Sequence, residues 1–349
     1  MEMSAIMSRQ EALIGQTLEE LEELMRRWGE PSYRADQLAQ WLYRPVASLD
    51  EMSNLPVRLR DQLAEETIHH PCSIQAIRHS RDGTRKYLLS LDDGELIESV
   101  FIPETDRSTI CISSQVGCSM GCTFCATGAQ GMVRNLTAGE IVDQVLQVAL
   151  DMGHTPSNVV FMGMGEPLAN YAALLKSIEI INAPWGLNIG IRQITVSTCG
   201  LVPVIRRLGK VGLGITLAVS LHAADDQKRT RIMPINANYG LESLMQALHD
   251  YVRDTNRRIT IEYALMAGFN DSEIDAAQLV RLLGGLLCHV NLIPVNPIRG
   301  GRHKRPRLDE VERFQSLLRR GGLQVSIRKE RGGDIEAACG QLRGQWEET

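Results

Sequence analysis

Ser113-Ser114-Gln115-Val116-Gly117-Cys118-Ser119-Met120-Gly121-Cys122-Thr123-Phe124-Cys125 is the stretch whose reading decides the fold. Three cysteines on one short loop can hold a metal centre and leave one position open. An open position serves a reactive cluster, whereas a structural zinc site closes all four. The spacing alone leaves two readings: an iron–sulfur cluster, or a zinc site completed by Cys111 or a histidine. Just upstream, Thr109 to Ser114 reads as a buried strand. Far downstream, Cys339 sits in Ala337-Ala338-Cys339-Gly340, which points to a separate thiol chemistry.

Working outward from the loop, strand and helix alternate. Strands are expected over Thr109 to Ser114, Asn158 to Met164, Gln193 to Ser197, Ile215 to Leu221, Arg258 to Leu265 and Val290 to Val295. Helical stretches separate them. One opens at Thr137-Ala138-Gly139-Glu140, a capping-box pattern, and runs through Ile141, Val145 and Val148. Such repetition implies a parallel sheet with helices outside it. Six units are too few to close an eightfold barrel. The expected fold is therefore α/β, a partial barrel with functional residues at the C-terminal strand ends. Upstream, Leu18, Leu21, Leu24, Met25 and Trp28 recur at helical spacing, and Gly29 and Pro31 end that helix. A second helix carries Ala35, Leu38, Trp41 and Leu42, and a third follows Pro56. Three strands follow, with Asp92-Asp93-Gly94 as a hairpin turn. The expected division is a helical accessory domain over 1–72, a β-rich linker or extension over 73–107, and the partial barrel over 108–349.

The chain has 349 residues, 44% of them hydrophobic, and a net charge of −5. A mildly acidic balance argues weakly against non-specific nucleic-acid binding, although local patches override it. No apolar run is long enough to span a membrane. Met1 to Gln16 lacks the basic start and apolar core of a signal peptide. Eight cysteines, several clustered, fit a reducing cytosol better than a disulfide framework. A cytoplasmic protein is expected.

The cysteine loop, with Phe124 before its last thiol, resembles the signature of the radical S-adenosylmethionine (SAM) superfamily. The wider string is more specific. Ser113 to Cys118, Cys125-Ala126-Thr127-Gly128 and Arg134-Asn135-Leu136-Thr137 closely resemble the RlmN/Cfr family of RNA adenine methyltransferases. So do Gly163-Met164-Gly165-Glu166-Pro167, Ser197-Thr198-Cys199-Gly200, Ser220-Leu221-His222-Ala223 and Asp334-Ile335-Glu336-Ala337-Ala338-Cys339-Gly340. The resemblance implies a partial (β/α)6 TIM-like barrel of the radical SAM type with a small N-terminal helical RNA-binding domain. It implies a [4Fe-4S] cluster on Cys118, Cys122 and Cys125. SAM would be used twice per turnover, as methyl donor and as radical source. Gly165, Glu166, Ser197, Ser220, Leu221, His222 and Asn296 would contact it.

Three further roles follow from the resemblance. Cys339 would carry a methyl group, and its S-methyl carbon would add to the adenine ring as a radical. Cys111 would release the protein–RNA adduct through a transient disulfide. Glu98 would accept the ring proton; read by itself, a lone Glu between apolar residues is a surface residue. Cys72, Cys199 and Cys288 read as small buried hydrophobes. The implied partners are 23S rRNA, at adenosine-2503, tRNA, at adenosine-37, and a flavodoxin-like reductase, with the protein a monomer and no membrane involved. Arg299, Arg302, Lys304, Arg305 and Arg307 form a candidate phosphate-binding loop; Arg78, Arg81, Arg85 and Lys86 form a second cluster. Glu336 stands where the family more usually has aspartate. C2 methylation is the first reading and Cfr-type C8 methylation the alternative. Val116 bears on that choice, because Cfr-like members tend to carry a cysteine there. A zinc-bearing RNA-binding protein and a radical SAM enzyme with another substrate are the remaining readings; neither needs the Cys111 and Cys339 pair.

Overall fold

The computed structural model describes residues 11–298 and 300–344. Arg299 of the basic loop and residues 1–10 of the expected leaderless start lie outside the described residues.

Ten strands form one sheet: β1 (Cys72–His79), β2 (Arg85–Leu91), β3 (Leu96–Pro103), β4 (Ser108–Cys111), β5 (Asn158–Phe161), β6 (Ile194–Thr198), β7 (Thr216–Ser220), β8 (Ile259–Leu265), β9 (Cys288–Pro294) and β10 (Val325–Ile327). They lie in chain order across the sheet. From β1 to β4 neighbours run antiparallel, and from β4 to β10 they run parallel. The edge strands β1 and β10 do not pair with each other, so the barrel is open. Strand interiors such as Leu217-Ala218-Val219 are fully buried. Continuous apolar runs of this kind arise where helices cover the outer face and the core fills the inner one.

Helices Ala138–Met152, Tyr171–Asn182, Val202–Val211, Leu241–Thr255, Glu273–Leu283 and Leu308–Arg320 lie on the crossovers. The first is capped as its sequence predicts. Thr137 Oγ1 accepts from the Glu140 amide at 3.1 Å, and the Thr137 amide donates to Glu140 Oε2 at 2.7 Å. Gly153 ends it at φ 72°, a conformation that favours glycine. One parallel strand escaped the sequence reading. β10 is three residues long and follows directly on a helix, too short to show a period. Among the described residues, no helix is long and apolar enough to cross a membrane.

β1 to β3 continue the parallel sheet through the β3–β4 pairing, which sets Val100 opposite Cys111. The N-terminal helices Leu18–Arg27, Tyr33–Leu42 and Val57–Glu66 bury Leu21, Met25, Leu38, Leu42, Leu59 and Leu63 in the same apolar core. They dock closely. A Cβ on Gly15 would lie 2.4 Å from Gly139 Cα, and one on Gly139 would lie 2.3 Å from the Ile14 carbonyl oxygen. Asp143, fully buried on the same helix, takes His70 Nδ1 at 2.6 Å and the Cys72 amide at 2.9 Å.

Candidate active site

One cavity opens at the C-terminal ends of the parallel strands. Its wall runs from Phe161 of β5 through Thr198, Ser220, Ala264 and Ile293 to Arg328, just past β10. Adjacent strands are about 4.8 Å apart. Six of them reach one cavity only because the sheet curls around it.

Cys118, Cys122 and Cys125 line one end of this cavity. They hang from a two-stranded ribbon, Gln115–Cys118 against Gly131–Asn135. Gly117 has φ 72°, and a Cβ there would meet the Gly131 carbonyl oxygen at 2.0 Å, so only glycine lets the ribbon close. Burial pushes the Cys118 thiol up to about 11, and Cys122 is raised further by burial and by its two sister thiols. Bare thiolates are disfavoured here, and a metal centre supplies the positive charge that reverses this. A cluster gives each thiolate its own iron, and the donor set fits that arrangement with one position open.

The loop after β5 faces the thiols. A Cβ on Gly163 would lie 2.6 Å from the Ile112 carbonyl oxygen, and one on Gly165 would lie 2.5 Å from Gln115 Cβ. Glu166 is buried, with Oε2 accepting from the Cys199 amide at 2.7 Å and Oε1 from the Leu168 amide at 3.0 Å. Burial raises its pKa against the pull of those amides. The carboxylate therefore ties two strand ends together and keeps lone pairs for a ligand. Ser197 and Ser220 line the cavity as expected. His222 does too, held at φ 57°. Its Nδ1 accepts from the Ala264 amide at 2.8 Å, which fixes the proton on Nε2. Burial, with Arg229 nearby, lowers its pKa to about 3, so the imidazole is neutral. Phe124 of the cysteine loop meets its ring edge-on at 4.7 Å between centroids. Leu221 is fully buried and does not line the cavity.

Arg229 went unnoticed in the sequence. Fully buried, it donates to the carbonyls of Leu221, Cys199 and Ser220 and to Asn236 Oδ1, binding the ends of β6 and β7 into one frame. Its only sequence signal was an arginine in an otherwise ordinary polar helix.

Cys339 lines this cavity and also a second, adjoining one, which Cys111 lines as well. The structure thus brings together two thiols 228 positions apart (339 − 111). Burial, and then the neighbouring Cys339, pushes Cys111 up to about 12. All eight cysteines are free, so the expected Cys111–Cys339 disulfide is not a standing bond of this structure. Asn296 lines both cavities, and its Nδ2 donates to the Cys339 carbonyl at 3.1 Å.

Glu98 differs from the surface position its neighbours imply. It is fully buried, with Oε1 2.8 Å from Lys86 Nζ and Oε2 accepting from the Arg343 amide at 2.6 Å. Neither cavity is lined by it. It lies under the strap formed by residues 332–344, which also carries Cys339. With Lys86 buried and Arg85 bound to Asp151 at 2.6 Å, the cluster of Arg78, Arg81, Arg85 and Lys86 is not one solvent-facing patch. In the other basic loop Arg302 and Lys304 are exposed, Arg305 pairs with Glu330, and Arg307 pairs with Asp309 at 2.9 Å. His303 bonds Thr123 of the cysteine loop at 2.9 Å.

Known proteins resemble this chain in sequence and fold. The profile of the radical SAM superfamily matches residues 112–280, and that of the ribosomal RNA large subunit methyltransferase N-terminal domain matches residues 12–68. A probable dual-specificity RNA methyltransferase RlmN of Alkaliphilus metalliredigens is 48% identical over 335 residues, covering 96% of this chain and 95% of the relative. The protein of the same name from Pelotomaculum thermopropionicum is 50% identical over 330 residues, covering 94% and 90%. The crystal structure of a radical SAM methyltransferase from Sphaerobacter thermophilus superimposes with a TM-score of 0.93 at 46% identity, covering 96% of this chain and 100% of that one.

Proposed function

This chain belongs to the RlmN family of radical SAM methyltransferases, and from that premise we propose that it methylates carbon C2 of adenosine in RNA. The substrates are 23S rRNA, at adenosine-2503 in the peptidyl-transferase centre, and tRNA, at adenosine-37. Family membership implies a [4Fe-4S] cluster and SAM. When bound, and reduced by a flavodoxin-like partner, they supply a 5′-deoxyadenosyl radical.

The observation that carries the reading is the position of Cys339 on the wall between the two cavities, with Cys111 in the second. Adenine C2 is not nucleophilic, so a methyl group must be delivered as a radical. A thiol that reaches the SAM cavity on one side and a second thiol on the other can do this in sequence. Cys118, Cys122 and Cys125 hold the cluster; Gly165, Glu166, Ser197, Ser220, His222 and Asn296 hold SAM, with Leu221 acting through its backbone. Cys339 takes a methyl group from a first SAM by displacement, and a second SAM is the radical source. After loss of a hydrogen atom to the 5′-deoxyadenosyl radical the S-methyl carbon would add to C2, and the electron left unpaired on the ring would pass to the oxidised cluster. Glu98 accepts the ring proton, which requires the strap to lift from it. Cys111 then attacks the Cys339 sulfur and breaks its bond to the methylene carbon, which leaves with the electron pair and takes a proton to become the C2 methyl group; the disulfide formed must be reduced before the next turnover. Such thiol cycling fits a reducing cytoplasm, and the protein is proposed to act as a monomer. The helical unit over 1–72 serves as an RNA-binding accessory, residues 73–107 extend the sheet, and 108–349 form the catalytic barrel.

The test is an anaerobic reaction of reconstituted protein, SAM, reductant and a 23S rRNA fragment, followed by nucleoside mass spectrometry. 2-Methyladenosine is the expected product. 8-Methyladenosine would move the protein to the C8 reading, and neither product would remove the substrate assignment.

A further inference from the structure

The two cavities that share Cys339 differ in charge. The larger carries the carboxyl groups of Glu166 and Glu262 and one cation, Arg328. The smaller is lined by Arg305, Arg328, Lys329 and Arg331 against a single carboxylate, Glu330. SAM is a sulfonium with net positive charge and suits the first. Four cations against one carboxylate give the smaller cavity a net positive field, which attracts a polyanion instead. The inner wall of the smaller cavity is apolar, with Val100, Ile102 and Leu342 beside the two thiols. An apolar slot with a cationic mouth matches a nucleotide, whose flat base and charged phosphate are joined through one ribose.

Three of those cations come from Arg328-Lys329-Glu330-Arg331, the run that leaves β10 and leads into the strap. The run was not among the basic clusters noticed in the sequence. Arg328 points at both cavities, Lys329 is exposed, and Arg331 reaches Asp82 only at 4.0 Å. Arg305 is already bound to Glu330. Lys329, at the surface, and Arg331, held loosely by Asp82 and the nearby Glu104, therefore keep donors for a ligand.

We propose that Lys329 and Arg331 bind the RNA phosphates flanking the target adenosine, whose base enters the slot between Cys111 and Cys339. The proposal rests on the RNA methyltransferase reading and adds the site that holds the substrate. Phosphate contacts set register and orientation without reading sequence. A base taken out of its stack stays out only while its backbone is held, and these two side chains stand where that backbone must pass.

The test is a double-mutant cycle on the reconstituted enzyme. One arm is the double variant Lys329→Gln with Arg331→Gln; iron content and thermal melting verify that it is folded, and Lys329→Gln alone serves if it is not. The other arm is an RNA hairpin carrying a neutral methylphosphonate at each phosphate flanking the target adenosine. The double variant should bind unmodified RNA about tenfold more weakly and show a shallower salt dependence. Methylphosphonate should weaken binding to the wild-type protein and cost the variant little. Additive losses would overturn the proposal while leaving 2-methyladenosine formation by the wild-type enzyme intact. Unchanged RNA affinity with slowed cluster reduction by a flavodoxin-like donor would also overturn it, assigning the cations to an acidic protein partner. No methyladenosine from the wild-type enzyme would remove the activity reading and this site with it.

Discussion

The cysteine loop and the C-terminal strap deliver thiols to neighbouring places by opposite means. The loop is a local construction. The Cys125 amide donates to the Cys122 carbonyl at 3.2 Å, and Gly117, Gly121 and Gly131 take positive φ where the chain must turn. The strap is held by partners remote in sequence. Asp334 accepts from Ser80 Oγ at 2.5 Å, the Gly332 amide donates to Asp82 at 3.1 Å, and Lys86 Nζ reaches the Glu336 carbonyl at 3.0 Å. Thr127 Oγ1 donates to the Leu342 carbonyl at 2.6 Å, directly behind the last loop cysteine. The Gly340 carbonyl accepts from the Ala126 amide at 2.7 Å, so the two regions touch. The loop also has remote ties, from the Thr123 amide to the Ile232 carbonyl at 3.0 Å and from Thr123 to His303, but its turns are set by its own glycines. A strap held by remote hydrogen bonds moves only when those partners release it, and the chemistry proposed for Glu98 requires that they do.

The contrast can be broken first with the cysteines themselves. Cys122→Ala should abolish both the cluster and SAM cleavage, read by iron content and 5′-deoxyadenosine. Cys339→Ala should keep both and abolish methylation. If the two variants lose the same activities, the regions are not separate devices. Glu98→Gln is the next largest effect. It leaves Lys86 charged and buried without its carboxylate, at a cost of about 3–5 kcal/mol in urea unfolding. A loss under 1 kcal/mol would mean that the pair does not anchor the strap.

Thr127→Val tests the junction between loop and strap. It leaves the buried Leu342 carbonyl without its donor, costing about 1–3 kcal/mol. Hydrogen exchange should quicken across residues 338–343 and stay unchanged in β6 and β7; uniform acceleration would count against a strap that moves independently. Thr137→Ala removes a local cap and should cost about 1 kcal/mol with no effect on strap exchange. His222 gives the smallest effect near neutral pH. Its folded pKa of about 3 lies below the ordinary 6.5, so its neutral form stabilises the fold above pH 6.5 and that contribution is lost as pH falls toward 3. The stability advantage of the wild-type protein over His222→Gln should therefore narrow below pH 6.5 in denaturation curves. An advantage independent of pH would show that the imidazole titrates freely.

Much of this site was legible because its signals are short. Three cysteines within eight residues, glycines at forced turns and the Thr137–Glu140 cap are all properties of neighbouring residues. The strands from β4 to β9 were legible for the same reason, since helix coverage leaves long apolar runs. β10 was not, being three residues long. Arg229 was missed because an arginine in a polar helix looks solvated until four acceptors surround it. Glu98 looked exposed by its sequence context, and Lys86 looked like part of a basic patch. Their burial exists only because β2 pairs with β3 and the strap covers both. Arg328 to Arg331 carried no distinct signal, since a short charged run after a strand is commonly solvated.

What the sequence by itself determined was the inventory: three cysteines within eight residues, a strand–helix repeat that places a site at one end of a sheet, and five cysteines outside that loop. Those follow from residue types and spacings within one turn of chain. What only the tertiary structure decided was the geometry of delivery. Curling of the sheet makes one cavity from six strand ends, the strap sets Cys339 between two cavities of different charge, and Glu98 is sealed beneath it. These depend on contacts between residues hundreds of positions apart, which no local pattern in the chain encodes.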